Sequence, residues 1–331
     1  MGIINSLLTI HYFLRKNIFR IIISHETVPV IIPPYLKQGD TIGLICPSGS
    51  MPMEKMQRCN DTLQEWGFIV KQGDTLGSRR HYLSGTDKER LNDLQLMLDD
   101  ENIKAIFCAR GGYGLSRIID DINFEHFIQK PKWIIGYSDI TLLHAHVSSN
   151  FNIATLHAPM AAAFNEMEGN EIYIQSVLNS ITGSLQSYDV SLHHLNRSGV
   201  CKGELVGGNL SLLAHIIGSR SDINTKNKIL FFEDLGEYKY NVDRMLVQLK
   251  RAGKLDELAG LIVGKFTEIK DTTIPFGQDV EAMIFDKIKE YNYPVCFDFP
   301  VGHVNENYAL KVGCNYRLSI TGDGVILTAM H

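Results

Sequence analysis

None of the six cysteines (46, 59, 108, 201, 296 and 314) falls in a C-x-x-C pair, so the thiol spacing of a zinc site or redox pair is missing. No H-E-x-x-H set occurs either, and neither a metal nor a cofactor is expected. Long runs of one charge are also absent. The 32 basic and 37 acidic residues are interspersed to a net charge of -5, which offers no broad face to nucleic acid or to a membrane. No stretch of about 20 nearly continuous apolar residues is found, so no integral membrane span is expected. A small-molecule or peptide partner fits this balance better.

What is present is a chain of 331 residues, 44% hydrophobic, long enough for a large core and, on the length prior, for two domains. Several cysteines, such as Cys108 in Ala105-Ile-Phe-Cys-Ala109, sit in apolar runs that resemble buried strands. They are read as reduced core thiols, which favours a cytoplasmic location. The first 28 residues are irregular: Ile3 to Ile10 and Ile18 to Ile23 are apolar, while Arg15, Lys16 and Arg20 interrupt them. Neither a signal peptide nor a spanning helix matches, and residues 1–30 are treated as an extension of unknown role, open to a surface helix or a packed segment.

From Pro33 the pattern becomes regular. Short apolar runs at 41–46, 67–70, 105–109 and 133–136 predict buried strands, and amphipathic stretches at 53–66 and 87–98 predict helices between them. That alternation points to a doubly wound parallel sheet over residues 31–165. Between 166 and 204 the periodicity fades into Asn, Ser, Gly and His, the expected linker. Residues 205–331 resume as a second, more mixed α/β domain, with strands at 229–232 and 261–263, a helix over 241–252 and alternating segments near the C-terminus.

Three apolar strands end abruptly in polar or glycine residues, where open α/β sheets present ligand sites. In Trp133-Ile-Ile-Gly-Tyr-Ser138-Asp-Ile-Thr-Leu-Leu143 the spacing places Ser138 at a strand-to-helix turn, with the Asp139 amide facing developing negative charge. Ile140 breaks the G-x-S-x-G pattern of a nucleophile elbow. A plain helix cap by Ser138 or Asp139 explains the same spacing. Ala109-Arg-Gly-Gly-Tyr-Gly114 allows close backbone approach and an anion site, or simply a flexible connection. It lacks the residues of a phosphate loop. Glu233 closes the run Ile229 to Phe232, where a carboxylate needs a partner, although Glu233, Asp234 and Glu237 equally suit loop acids capping the next helix. His303, in a loop fixed by Pro300 and Gly302, is the preferred imidazole. His144 and His146 are two apart on a predicted helix and do not share a face; His157, His193 and His194 are weaker candidates. Ser138, Glu233 and His303 supply one nucleophile, one acid and one base in that chain order.

Five segments taken together resemble one family: Pro34-Tyr-Leu-Lys-Gln-Gly-Asp-Thr-Ile-Gly43, Ala109-Arg-Gly-Gly-Tyr-Gly114, Ile135-Gly-Tyr-Ser-Asp-Ile-Thr141, Phe232-Glu-Asp-Leu-Gly-Glu237 and Pro300-Val-Gly-His303. They resemble the LD-carboxypeptidases, or murein tetrapeptide carboxypeptidases, from about Ile32 to the C-terminus. The resemblance implies a flavodoxin- or Rossmann-like N-terminal domain and a swivelling β/α C-terminal domain. It also implies a Ser138-Glu233-His303 triad and an oxyanion hole from the Asp139 amide with Gly111 or Gly112. It further implies a murein peptide substrate losing its terminal D-alanine, no metal, and a homodimer. Arg110 is a candidate for the substrate's terminal carboxylate, with a structural ion pair as its alternative. Two other readings stand beside it: a hydrolase of peptidyl or aminoacyl nucleotides, as in the related microcin self-immunity proteins, and a muropeptide-binding protein without catalysis. The first should need an aromatic platform, and Trp66 and Trp133 both lie in core-like patterns. Family members generally begin near the position of Ile32, so the N-terminal segment is a departure.

Overall fold

A computed structural model describes residues 29–166 and 168–330, and the readings made on residues 1–28 fall outside them. The chain alternates strands β1 (Thr41–Ile45), β2 (Ile69–Gln72), β3 (Ile103–Cys108), β4 (Trp133–Gly136) and β5 (Thr155–His157) with helices α1 (Gln57–Glu65), α2 (Asp87–Asp99), α3 (Glu125–Gln129) and α4 (Thr141–Phe151). After α5 (Glu171–Thr182) come β6 (Ser187–Val190), β7 (Gly199–Asn209), α6 (Leu210–His215), β8 (Ile229–Leu235), α7 (Lys239–Arg251), β9 (Gly260–Thr267), α8 (Val280–Ile288), β10 (Val295–Cys296), β11 (Leu310–Val312), β12 (Asn315–Thr321) and β13 (Gly324–Ala329).

Two sheets result. The first runs β11-β5-β4-β3-β1-β2, and its β1 to β5 pairings are parallel. The order 2-1-3-4-5 is flavodoxin-like, with its switch point between β1 and β3. Strands β1 and β4 are apolar on both faces because helices cover both, and all of β4 is buried. The second sheet runs β10-β9-β8-β7-β12-β13-β6. Its β7 to β10 part is parallel, and β12, β13 and β6 are antiparallel. Buried and exposed residues alternate along β12, as expected of a sheet with one wet face. The expected mixed α/β class is therefore the observed one.

Local signals explain most boundaries. Thr86 and Glu89 form a reciprocal capping box that starts α2, and Val242, Met245, Leu246 and Leu249 are the buried stripe of α7. The stretch 166–204, expected as a linker, carries α5 and the edge strand β6. Helix α5 is amphipathic, burying Ile174, Val177 and Ile181, a pattern the surrounding polar residues conceal. Strand β11 crosses back and pairs antiparallel with β5 in the first sheet, Leu310 opposite His157, so the C-terminal third also closes the N-terminal sheet.

Candidate active site

The loops after β1, β3 and β4 meet at the carboxyl end of the first sheet. Gly136 ends β4 with φ 152, where a Cβ would lie 2.9 Å from Ile140 Cγ1 and 3.2 Å from Cys108 Cβ. Its carbonyl accepts from His144 Nε2 at 2.8 Å and from the Ala158 amide at 3.2 Å. Ser138 follows at φ 63, a left-handed conformation that costs an L-residue roughly 1–2 kcal/mol and persists where the surroundings impose it. A 3-10 turn over Ser138–Ile140 then leads into α4. Neither Ser138 nor Asp139 caps a helix with its side chain.

The Asp139 carboxylate has another task. Its Oδ2 accepts from Ser48 Oγ at 2.6 Å and from the Leu115 amide at 2.9 Å, tying the loops after β1 and β3 to the serine turn. Burial raises its pKa, and these two hydrogen bonds, with Arg90 and His215, oppose that rise. Arg90, wholly buried, donates from Nη1 to the carbonyls of Pro47 at 2.8 Å and Gly114 at 2.9 Å. On α2 its charge reads as a solvated face, and no local pattern announces this role. Gly111 lies flush against the serine turn. A Cβ there would stand 2.9 Å from Ser138 Cβ and 3.1 Å from the Asp139 nitrogen. Gly112 has φ 96, and a Cβ on it would meet Tyr82 Oη at 2.7 Å.

The acid and the imidazole come from the second sheet. Glu233 does not end its strand: β8 continues to Leu235, with a register irregularity between Phe232 and Asp234. Its side chain is fully buried, and Oε2 meets His303 Nδ1 at 2.7 Å. Gly302, at φ 131, has no room for a Cβ, which would sit 2.9 Å from Glu233 Cβ, so the glycine before His303 lets the histidine loop close over the acid. Burial lowers the His303 pKa, but the hydrogen bond and charge of Glu233, with Asp234 and Glu268, more than offset it and leave the pKa raised. Asp234 is driven to about 7, first by burial and then by the charge of Glu233.

Asn209, another residue the sequence reading passed over, joins the two halves. Its Nδ2 donates to Asp234 Oδ1 at 2.9 Å and lies 3.4 Å from Glu233 Oε1. Its amide donates to Thr141 Oγ1 at 3.0 Å, in the first turn of α4. The available signal was Asn after Gly207-Gly208 at the end of a strand, the position of an N-cap.

Ser138 and His303 line one cleft of about 400 Å³ with Arg110, Gly111, Gly112 and Tyr137. The Tyr137 ring lies 4.8 Å from that of His303. Arg110 donates from Nη1 to the Ser50 carbonyl at 2.5 Å and also borders an adjoining cavity of about 590 Å³; no ion pair of Arg110 is found among the described residues. The other histidines lie outside this cleft. His146 Nδ1 pairs with Ser221 Oγ at 2.9 Å, and His157 is buried with neither ring nitrogen bonded. His193 faces Glu281 at 3.6 Å, and ligand-type atoms of His193, His194 and Glu281 lie within 4.8 Å of one another. Trp133 is buried and stacked on Tyr35, and Trp66 packs on Phe164.

The architecture is that of a two-sheet α/β protein. A muramoyltetrapeptide carboxypeptidase from Oxalobacter formigenes superposes with TM-score 0.80 at 27% identity, over 88% of this chain and 99% of that one. The microcin C7 self-immunity protein shares the fold at TM-score 0.81 and 24% identity, over 92% of this chain and 99% of that one. Residues 42–158 match the LD-carboxypeptidase N-terminal domain and residues 202–318 the LD-carboxypeptidase C-terminal domain. A probable murein peptide carboxypeptidase of Bacillus subtilis is 34% identical over 90% of this chain and 94% of its own. The murein tetrapeptide carboxypeptidase of Pseudomonas aeruginosa is 26% identical over 82% of this chain and 91% of its own. The chain belongs to the LD-carboxypeptidase family and is a carboxypeptidase.

Proposed function

We propose that this enzyme is a serine-type LD-carboxypeptidase that releases the terminal D-alanine of murein tetrapeptides during cell-wall recycling. The observation that carries the reading is the buried Glu233 held 2.7 Å from His303 Nδ1, with His303 lining the same cleft as the strained Ser138. In the neutral imidazole Nδ1 carries the proton toward Glu233, which leaves Nε2 as the base. His303 takes the Ser138 proton as Oγ attacks the carbonyl before the terminal D-residue. The amides of Asp139 and Gly112, beside Gly111, hold the oxyanion. Protonated His303 then returns the proton to the leaving amine, and water, deprotonated by the same imidazole, releases the acyl group. Arg110, with one end of its guanidinium on Ser50 and no carboxylate partner among the described residues, takes the terminal carboxylate.

The family relatives named for murein peptides support the substrate class. The compartment we assign is the cytoplasm, in keeping with six free thiols, five of them buried. The test is direct. Purified protein is incubated with tetrapeptides ending in L-lysyl- or diaminopimelyl-D-alanine, and free D-alanine is followed by mass spectrometry. Release by the wild type and not by Ser138→Ala is expected. Equal release by both sinks the nucleophile assignment, and cleavage of an aminoacyl sulfamoyl adenylate alone transfers the site to the nucleotide-conjugate reading, for which Tyr82 on the cleft wall, 54% exposed, is the available platform.

A further inference from the structure

Outside the catalytic cleft, the segment between β6 and β7 brings two adjacent histidines against the first turn of α8. His193 Nε2 lies 3.6 Å from Glu281 Oε2, and one ligand-type atom from each of His193, His194 and Glu281 falls within 4.8 Å of the others. Nitrogen and oxygen ligands sit at about 2.0–2.2 Å from a tetrahedral zinc, which sets two of them about 3.3–3.6 Å apart. The His193–Glu281 separation, too long for a hydrogen bond, thus matches two ligands of one ion. Among the described residues neither the His194 ring nor the Glu281 carboxylate has a hydrogen-bond partner, and Glu281 pairs with no lysine or arginine.

The frame that presents these donors is built from the chain itself. The Asn196 amide donates to the His193 carbonyl at 3.0 Å, and Asn196 Oδ1 accepts from the Phe297 amide at 2.7 Å. Arg197 exchanges two backbone hydrogen bonds with Val295, at 2.9 and 3.1 Å. Its Nη2 donates to the Ile288 carbonyl at 3.2 Å, at the C-terminus of α8. The histidine loop is therefore fastened to the helix that carries Glu281, and the His193 ring rests on Phe297 with 5.8 Å between centroids. A cavity of about 300 Å³ opens beside His193, and the lysine in its lining, Lys265, is held by Asp298 at 2.5 Å.

We propose that His193, His194 and Glu281 form a structural zinc site, with water from the adjoining cavity completing the coordination. Two imidazoles and a carboxylate are donors that zinc takes. The ion clamps the loop between β6 and β7 onto α8, beside the edge strand β10. Zinc takes the Nε2 lone pair of His193, so the ring proton moves to Nδ1 and the long 3.4 Å approach of the Leu195 amide to Nδ1 is given up. None of the three ligands lines the catalytic cleft, so the ion holds the fold and takes no part in hydrolysis.

The experiment uses the untagged full chain, stripped of metal with a chelator and titrated with zinc chloride in a calorimeter, with thermal melts alongside. One zinc per chain should bind and raise the melting temperature by about 3 °C or more at a hundredfold excess over Kd. Cobalt(II) in its place should give the intense visible bands of a four-coordinate ion. His193→Gln, His194→Gln and Glu281→Gln should each raise Kd by about a hundredfold or more, since losing a partner behind a ligand already costs up to that. His126→Gln, at an exposed histidine on α3, should bind as the wild type does. Each variant is checked for folding by circular dichroism, and one that fails to fold leaves the other two to decide. Absence of binding heat and of any melting shift overturns the site. So does zinc binding that survives the three substitutions, which assigns the uptake to scattered surface histidines.

Discussion

Replacing Gly111 by alanine separates the chemistry of the site from its folding. The added methyl would stand 2.9 Å from Ser138 Cβ and 3.1 Å from both the Asp139 nitrogen and the Tyr137 carbonyl oxygen. None of these is the free end of a flexible side chain. The serine turn cannot easily retreat, because the Gly136 carbonyl is held by His144 and Ala158 and the Asp139 carboxylate by Ser48 and Leu115. Gly111 is not among the glycines with positive φ, so the effect is steric and not a matter of left-handed strain. The methyl covers the Asp139 amide, the proposed oxyanion donor, and losing one such donor costs about a hundredfold to a thousandfold in kcat. Overpacking adds about 1–3 kcal/mol of lost stability. Gly112→Ala, at the other proposed oxyanion amide, is the comparison: its methyl meets Tyr82 Oη, the tip of a half-exposed side chain that can swing away, so its cost is strain at φ 96 and not a covered Asp139 amide. D-alanine release under saturating tetrapeptide, alongside thermal melts, reads both variants. If folded Gly111→Ala keeps kcat within about threefold of wild type, the oxyanion assignment is wrong.

Glu233→Gln should lower kcat by about 10⁴-fold with little change in KM, because the amide no longer fixes the imidazole tautomer or stabilises its charged form; steady-state kinetics showing a loss below about tenfold would contradict that role. The same pair predicts a pH dependence of stability. The raised pKa of His303 contributes stability that is complete below the ordinary imidazole value and fades as pH rises through the folded one. Asp234, raised to about 7, holds a proton that the unfolded chain releases near pH 4, so stability also falls across that interval. The buried neutral His144 and His157 push stability the other way over the same range, so the check is a difference: between pH 5.5 and pH 8 the wild type should lose more melting temperature, or gain less, than Glu233→Gln, since Glu233 contributes to both shifts; equal slopes in the two proteins would refute this. His144, buried and driven to about 4 by burial, acts as a neutral donor to Gly136. His144→Leu should cost about fivefold to tenfold in kcat, the worth of one hydrogen bond, and His144→Gln should recover most of it; no difference between the two would show that the bond does not position the serine.

The parallel sheet was legible because its strands are short apolar runs: β4 was expected at 133–136 and spans Trp133–Gly136. The position of Ser138 at a strand-to-helix turn followed from the same pattern, but its left-handed φ did not, since nothing in a serine between Tyr137 and Asp139 announces it. Glu233 was expected at the strand's end, yet the strand runs two residues further; a buried carboxylate inside a ladder depends on a histidine 70 residues away, and local pattern cannot carry that distance. Asn209 and Arg90 were missed for a related reason. Each works through contacts between elements, and each looks locally like a cap or a surface charge. Strand β11 falls in one of the alternating segments near the C-terminus, but its return to the first sheet rests on pairing with β5, which its three residues do not specify.

The central claim is that Ser138 forms the acyl-enzyme. Quenching the enzyme in acid during turnover of a murein tetrapeptide, then digesting it and sequencing the fragments by mass spectrometry, locates any adduct. The tripeptide acyl group is expected on the fragment containing Ser138, and none in Ser138→Ala. An adduct on another residue, or undiminished turnover by Ser138→Ala, would contradict it.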